Sequence, residues 1–363
     1  MTGRAVFAAG GTGGHMFPAR AAADALIARG WEVRLITDAR GARHARDFPG
    51  GPPTVIEAQS PFQKNPLRLA GAVWKLFQGY GQARRLMKQF RPDVAAGFGG
   101  YPAFPVLAAA RAQQIAFVIH EQNAVLGRVN RLFSGSAAVV ASGFDRLDRA
   151  SETMAHTVVG NPVRAAVLKA AETPYAAPEP DGEFRLLVIG GSLGARMLSA
   201  TAPRAVAELP DQLRQRLKVV QQTREETLDE ARELYAQAGV EAQLAPFFRD
   251  MGRLYAEAHL VISRAGASSV SEIAAIGRPA IFVPLALAMD DHQSANAQSL
   301  VEAGAAEMIS EAEFTVQRLR ESLETAMTGG EALAARAEAA RSQGRPQAHE
   351  HLADLIAAAA KAS

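Results

Sequence analysis

The 363-residue sequence contains no cysteine. That excludes disulfides, thiolate nucleophiles and Cys-ligated zinc, and it fits a reducing compartment. An excess of one charge is also missing: 39 Lys+Arg stand against 37 Asp+Glu. Nucleic-acid binders usually carry a strong basic bias, so no nucleic-acid partner is expected. No run of about 18 apolar residues occurs, so nothing is expected to span a bilayer, and any membrane contact must be peripheral. No signal peptide is expected at the N-terminus, because Arg4–Ala9 reads as a strand and a glycine loop follows it.

What is present is an ordinary folded composition, 48% hydrophobic and 21% charged. The length exceeds that of one common core, so two domains are expected. Short apolar runs at 6–9, 33–36, 94–96, 115–119 and 139–141 read as buried strands. Helix-period segments at Pro18–Arg29, Leu67–Gln89 and Pro102–Arg111 lie between them, with Gly30 as a stop. This alternation predicts an α/β fold with parallel sheets covered on both faces. The pattern restarts at Arg185–Ile189, followed by a glycine loop, a helix at 195–207, and strands at 218–221, 260–262 and 280–283. Two Rossmann-like halves are therefore expected, 1–162 and 163–344, joined near Gly160–Pro162. Residues 173–182 read as a surface loop. A break at Gly344–Pro346 precedes a final helix at 348–361.

The first glycine loop, Gly10-Gly11-Thr12-Gly13-Gly14-His15, lacks dinucleotide spacing, because Met16 stands where the last glycine of that motif belongs. A tight turn explains one or two glycines, not four in five positions. Glycines here let backbone approach a ligand, and helix N-termini favour anions. Gly190-Gly191-Ser192-Leu193-Gly194 repeats the device. The most specific stretch is Ser263-Arg264-Ala265-Gly266-Ala267-Ser268-Ser269-Val270-Ser271-Glu272, which continues to Pro284. Small residues at its helix start leave N–H groups open to a diphosphate, and Glu272 can accept both hydroxyls of a ribose. The bland reading of Glu272 is a solvated helical glutamate. Polar runs follow other strands: Gly99-Gly100-Tyr101, His120-Glu121-Gln122-Asn123, and Asp290–Asn296, which contains Gln293. Composition and spacing alone reach a two-domain nucleotide-sugar enzyme.

The segments GGTGGH, GGYPAFP, HEQN, GNPVR, GGSLGA and SRAGASSVSEIAAIGRPAIFVP, in this order over nearly the whole chain, resemble the MurG family. Those enzymes transfer N-acetylglucosamine to lipid I, making lipid II for peptidoglycan. The resemblance implies a GT-B fold, two Rossmann-like domains with a cleft between them, and a last helix (345–363) that returns to the first domain. It implies UDP-N-acetylglucosamine as donor and undecaprenyl-pyrophosphoryl-N-acetylmuramyl-pentapeptide as acceptor. It further implies a peripheral position on the cytoplasmic face of the cell membrane. Phe248 would offer backbone to uracil, where the family usually has a smaller aliphatic residue. Glu272 would bind ribose. Ser192 and Ala267, Ser268 and Ser269, in the segment running on through Val270 and Ser271, would hold the diphosphate. Arg164 would pair with phosphate, Asn123 and Gln293 would contact the sugar, and Thr12, Gly13 and Gly14 would close over the diphosphate. Gly99, Gly100 and Tyr101 would lie on the acceptor side.

The expected reaction inverts the anomeric carbon by direct displacement. His15 is the expected base, kept neutral by a helix N-terminus; Glu121 is its rival. No Asp-x-Asp occurs, and neither metal nor cofactor is expected. A helix of apolar Leu69, Val73, Phe77 and Tyr80, with Trp74 and Leu76 beside them, is ringed by Arg68, Lys75, Arg84, Arg85 and Lys88. It reads either as core or as a membrane-interface face. Two other functions compete: a different UDP-sugar enzyme, such as a 2-epimerase or lipid galactosyltransferase, and a non-catalytic sugar-nucleotide-binding subunit.

Overall fold

Strands β1 (Arg4–Ala8), β2 (Glu32–Thr37), β3 (Thr54–Val55), β4 (Val94–Gly97), β5 (Phe117–Glu121), β6 (Val139–Ser142) and β7 (His156–Val158) form one sheet, in the order β3-β2-β1-β4-β5-β6-β7. Strands β8 (Phe184–Ile189), β9 (Leu217–Gln222), β10 (Glu241–Ala245), β11 (Leu260–Ser263), β12 (Ala280–Phe282) and β13 (Ala306–Met308) form a second, in the order β10-β9-β8-β11-β12-β13. The structure is a computed structural model and describes residues 2–10, 13–60, 65–191, 196–286 and 288–361. All the strand pairings are parallel. The central strands β4, β5 and β11 are buried at every position, which is why they read as continuous apolar runs.

Contacts divide the chain into two compact units, Met1–Val163 with Pro346–Ser363, and Arg164–Arg345. In the first, Phe7, Leu35, Val94 and Ala141 share a core with Leu352, Ala353 and Ile356 of the helix Ala348–Lys361. Arg29 fastens that helix through Glu350 and through Asp354 at 2.6 Å. On the opposite face of the sheet, Val6, Ala8 and Ile36 pack with Met87 and Phe90 of the helix Pro66–Phe90 and with Val106 and Leu107 of the helix Ala103–Ala112. In the second unit, Leu186, Val188 and Ile262 pack against Leu198, Ala202, Leu319 and Leu323.

In each sheet the chain starts in the middle, adds strands to one side, then crosses to the other. Two such switch points result, between β1 and β4 and between β8 and β11. Loops leaving strand C-terminal ends diverge there and open a crevice, where α/β sheets bind ligands. The glycine loops after β1 and β8, Phe98–Pro102 after β4, and Arg264–Gly266 after β11 all leave from these places.

Two elements differ from expectation. The first helix begins at Gly13, five residues before the proline expected to open it, and Pro18 lies inside it. Pro18 cannot donate to the Gly14 carbonyl, but Gly13 and Gly14 bring no side chains to the turn ahead of it. Strand β5 runs to Glu121, so His120 and Glu121 belong to the strand itself.

Candidate functional site

In the first unit, the loops after β1 and β4 press together. A Cβ on Gly10 would stand 2.3 Å from Pro102 Cγ, and one on Gly100, whose φ is +77°, would stand 2.9 Å from the Gly10 carbonyl oxygen. His15 sits in the first turn of the helix Gly13–Ala28, half-buried. Its Nδ1 lies 2.8 Å from Gly10 O. A carbonyl can only accept, so in the neutral ring Nδ1 carries the proton and Nε2 presents its lone pair. Nε2 faces Gly99, where a Cβ would approach it to 3.2 Å.

The ends of β4 and β5 are tied by buried amides. Gln122 Nε2 donates to Phe98 O at 2.7 Å, and Asn161 Nδ2 donates to Gln122 O at 2.9 Å. His120 Nε2 donates to Gly160 O at 3.2 Å. Burial, aided by the nearby His15, outweighs that bond and holds the His120 pKa down to about 4, so this ring is neutral and structural. Glu121 is buried and saturated. Its Oε1 accepts from Asn123 N at 3.0 Å and Asn123 Nδ2 at 3.3 Å. Its Oε2 accepts from Gly127 N at 2.9 Å and Asn130 Nδ2 at 2.8 Å. A carboxylate offers about four acceptor positions, and four donors here use them to hold the 123–130 loop. Tyr101 is half-buried beside Gly99 and Gly100.

In the second unit, the helix Ala267–Ile276 starts after Gly266, which has no side chain to cap it. Ser268, Ser269 and Ser271 are half-buried, whereas Ala267 and Val270 are buried. Glu272 is not a solvated helical glutamate. Its side chain is 5% exposed and receives Arg164 Nε at 2.5 Å and Nη2 at 2.6 Å. Thus Arg164, expected on phosphate, is paired here with the residue expected on ribose. Tyr255 is fully buried beside this pair; burial first, then the Glu272 charge, push its pKa well up.

Nearby, Arg264 joins three strand ends. Its Nη1 donates to Val283 O at 3.0 Å and its Nη2 pairs with Glu311 at 2.5 Å. Glu311 in turn accepts from Ala286 N at 3.0 Å. Gln293 Oε1 accepts from Leu285 N at 3.0 Å, fixing the same segment. Phe248 is half-buried between β10 and the helix Met251–Glu257. Thr12 and Ser192 lie outside the described residues; Gly13 opens the first helix and Gly14 follows it. Asn130, Tyr255, Arg264 and Glu311 were not singled out from sequence. Asn130, Tyr255 and Glu311 lie in otherwise unremarked stretches, Arg264 was quoted only as part of its motif, and the fold alone brings them to strand ends.

On the helix Pro66–Phe90, Ala72, Leu76, Gly79 and Ala83 face inward. Leu76 therefore belongs to the buried face. Trp74 and Phe77 are 60% and 65% exposed, Leu69 and Val73 are also exposed, and the two aromatic rings stack at 6.0 Å. Tyr80 packs partly into the core. The stripe is mostly outside, not core.

Residues 5–142 match the glycosyltransferase family 28 N-terminal domain, and residues 185–352 match its C-terminal domain. A Maricaulis maris protein is 60% identical over 355 residues, covering 97% of this chain and 96% of its own. It is called UDP-N-acetylglucosamine--N-acetylmuramyl-(pentapeptide) pyrophosphoryl-undecaprenol N-acetylglucosamine transferase. The crystal structure of Acinetobacter baumannii MurG superposes with a TM-score of 0.81 at 34% identity, covering 98% of this chain and 99% of that one. A putative UDP-N-acetylglucosamine 2-epimerase from Listeria monocytogenes gives 0.67 at 13% identity over 100% and 98% of the two chains, a likeness of fold alone.

Proposed function

The chain belongs to glycosyltransferase family 28, and from that premise we infer that it transfers N-acetylglucosamine from UDP-N-acetylglucosamine to the N-acetylmuramyl moiety of lipid I. The product is lipid II, used in peptidoglycan synthesis. The observation that carries this is 60% identity across nearly the full length of a relative bearing that name. The fold is GT-B. The test is transfer of labelled N-acetylglucosamine to lipid I by the purified chain. Labelled lipid II is expected; release of free sugar or an epimerised UDP-sugar, without lipid II, would overturn it.

We assign the steps as follows. The second unit takes the donor: Glu272 the ribose, Phe248 backbone the uracil, Gln293 and Asn123 of the first unit the sugar. The uncapped N-terminus at Ala267–Ser269, with Arg164, offsets the diphosphate charge. His15 Nε2 takes the proton of the acceptor 4-hydroxyl as that oxygen attacks the anomeric carbon opposite the departing UDP. The support is its fixed tautomer and its place at the β1/β4 switch point. Glu121, whose oxygens are filled, shapes the loop rather than accepting a proton. Gly99–Tyr101 border His15 and are assigned to the acceptor.

The same reading extends to the membrane. Among the described residues no helix is long and apolar enough to cross one. The outward Leu69, Val73, Trp74 and Phe77, with exposed Arg68, Arg84, Arg85 and Lys88, suit a face lying on anionic lipid. A lipid-linked acceptor requires such contact. We place that contact on the cytoplasmic face, where nucleotide sugars are found.

A further inference from the structure

Glu272 is expected to accept the two hydroxyls of a ribose, yet both its oxygens are already engaged. Arg164 fills one position on each oxygen, at 2.5 and 2.6 Å. The Glu272 side chain is otherwise enclosed, only 5% exposed. Two ribose hydroxyls cannot reach both oxygens while Arg164 covers this buried carboxylate. Arg164 has a side chain 35% exposed and stands at the start of the short helix Ala165–Ala170. It is the partner able to leave.

We propose that Arg164 is the residue that makes the donor site demand a diphosphate. It covers Glu272 until a nucleoside diphosphate supplies a replacement anion. It then moves to the diphosphate while the ribose hydroxyls take its places on Glu272. A nucleoside alone has to break the Arg164–Glu272 pair and leaves the guanidinium without an anion, which is costly for a part-buried charge. A nucleoside diphosphate returns to the guanidinium an oxyanion pair of the same fork geometry. Selection thus comes from a repulsive term against the wrong ligand as well as from contacts with the right one. The proposal rests on Glu272 as the ribose ligand.

The signature is a pair of effects with opposite sign. Calorimetry on the full chain would measure UDP directly and uridine by displacement. In Arg164→Gln, UDP should bind at least tenfold more weakly and uridine at least threefold more tightly. Uridine binding that is unchanged or weaker in the folded variant overturns the proposal. Should the Gln variant not fold, Arg164→Lys retains the charge but cannot span both oxygens, and it must show the same two signs; its failure to do so overturns the proposal equally. The underlying reading has its own control. Wild type should prefer UDP to 2′-deoxy-UDP, and Glu272→Ala should abolish that preference. A preference surviving in Glu272→Ala sinks the ribose assignment. A preference lost there, with uridine unmoved in Arg164→Gln, sinks the exchange alone.

Discussion

His15 is tied at Nδ1 to the carbonyl of Gly10, 2.8 Å away, and turns Nε2 toward Gly99. This bond sets both the tautomer and the direction of the lone pair. His15→Ala should lower kcat by roughly 10²–10⁴, with UDP affinity by calorimetry near wild type. Gly99→Ala tests the geometry without removing the ring. The new Cβ would crowd Nε2 at 3.2 Å, on a backbone with φ of +88°. A fall in kcat of at least tenfold is expected, and full activity in either variant would reject the assignment.

Glu121 gives the contrasting expectation. In Glu121→Gln an amide N–H₂ meets N–H donors already pointing at it, so one face of the loop loses its acceptor. Unfolding free energy should drop by about 1–3 kcal/mol. Activity should fall through displacement of the 123–130 loop, while the acidic limb of the pH–rate profile stays where wild type has it. Loss of that limb would transfer the base from His15 to Glu121.

The two Rossmann-like halves were legible because strand–helix alternation and buried strands leave strong patterns, and because Gly10–Gly14 and Gly190–Gly194 mark the same place in each half. The short outer strands β3, β7, β10 and β13 were not. Their residues are partly exposed, as at Thr54–Val55 and Glu241–Ala245, and carry no continuous apolar run. Glu272 and His15 could be picked out because their neighbours are unusual in composition. What they bond to could not. Arg164, its partner, lies 108 residues from Glu272. Glu121 looked like a reactive group for the same reason that it is buried: a carboxylate at a strand end is either a reagent or a clamp. Only the four donors around it decide which.

His120 predicts a pH dependence of stability. Its folded pKa is about 4, against 6.5 in the unfolded chain. Between these values the unfolded state binds the proton first, so stability is full above about pH 6.5 and falls as pH drops toward 4. From pH 7.5 to 5 the loss from this one group is on the order of 2 kcal/mol. Urea unfolding of wild type and His120→Gln at both pH values would isolate it. The gap between the two proteins should shrink by about that amount at pH 5, and an unchanged gap would mean that the ring titrates normally.

Trp74 and Phe77 bear on how the chain reaches a lipid-linked acceptor. Both project outward from a helix whose inner face is already packed, so the fold does not need them; exposed substitutions of this kind usually shift stability within about 0.5 kcal/mol. Moving such side chains from water into lipid is worth about 1.5–3 kcal/mol each. The double Trp74→Ser/Phe77→Ser variant should therefore melt like wild type yet bind anionic vesicles at least tenfold more weakly in co-sedimentation. Wild-type binding should itself weaken as salt rises, because Arg68, Arg84, Arg85 and Lys88 attract lipid headgroups only within a Debye length, about 8 Å at physiological ionic strength. Turnover on a water-soluble acceptor analogue should stay near wild type in the double variant, while turnover on vesicle-borne lipid I falls. A folded variant that sediments with vesicles as wild type does would remove this helix from the membrane and leave its exposed aromatics unexplained.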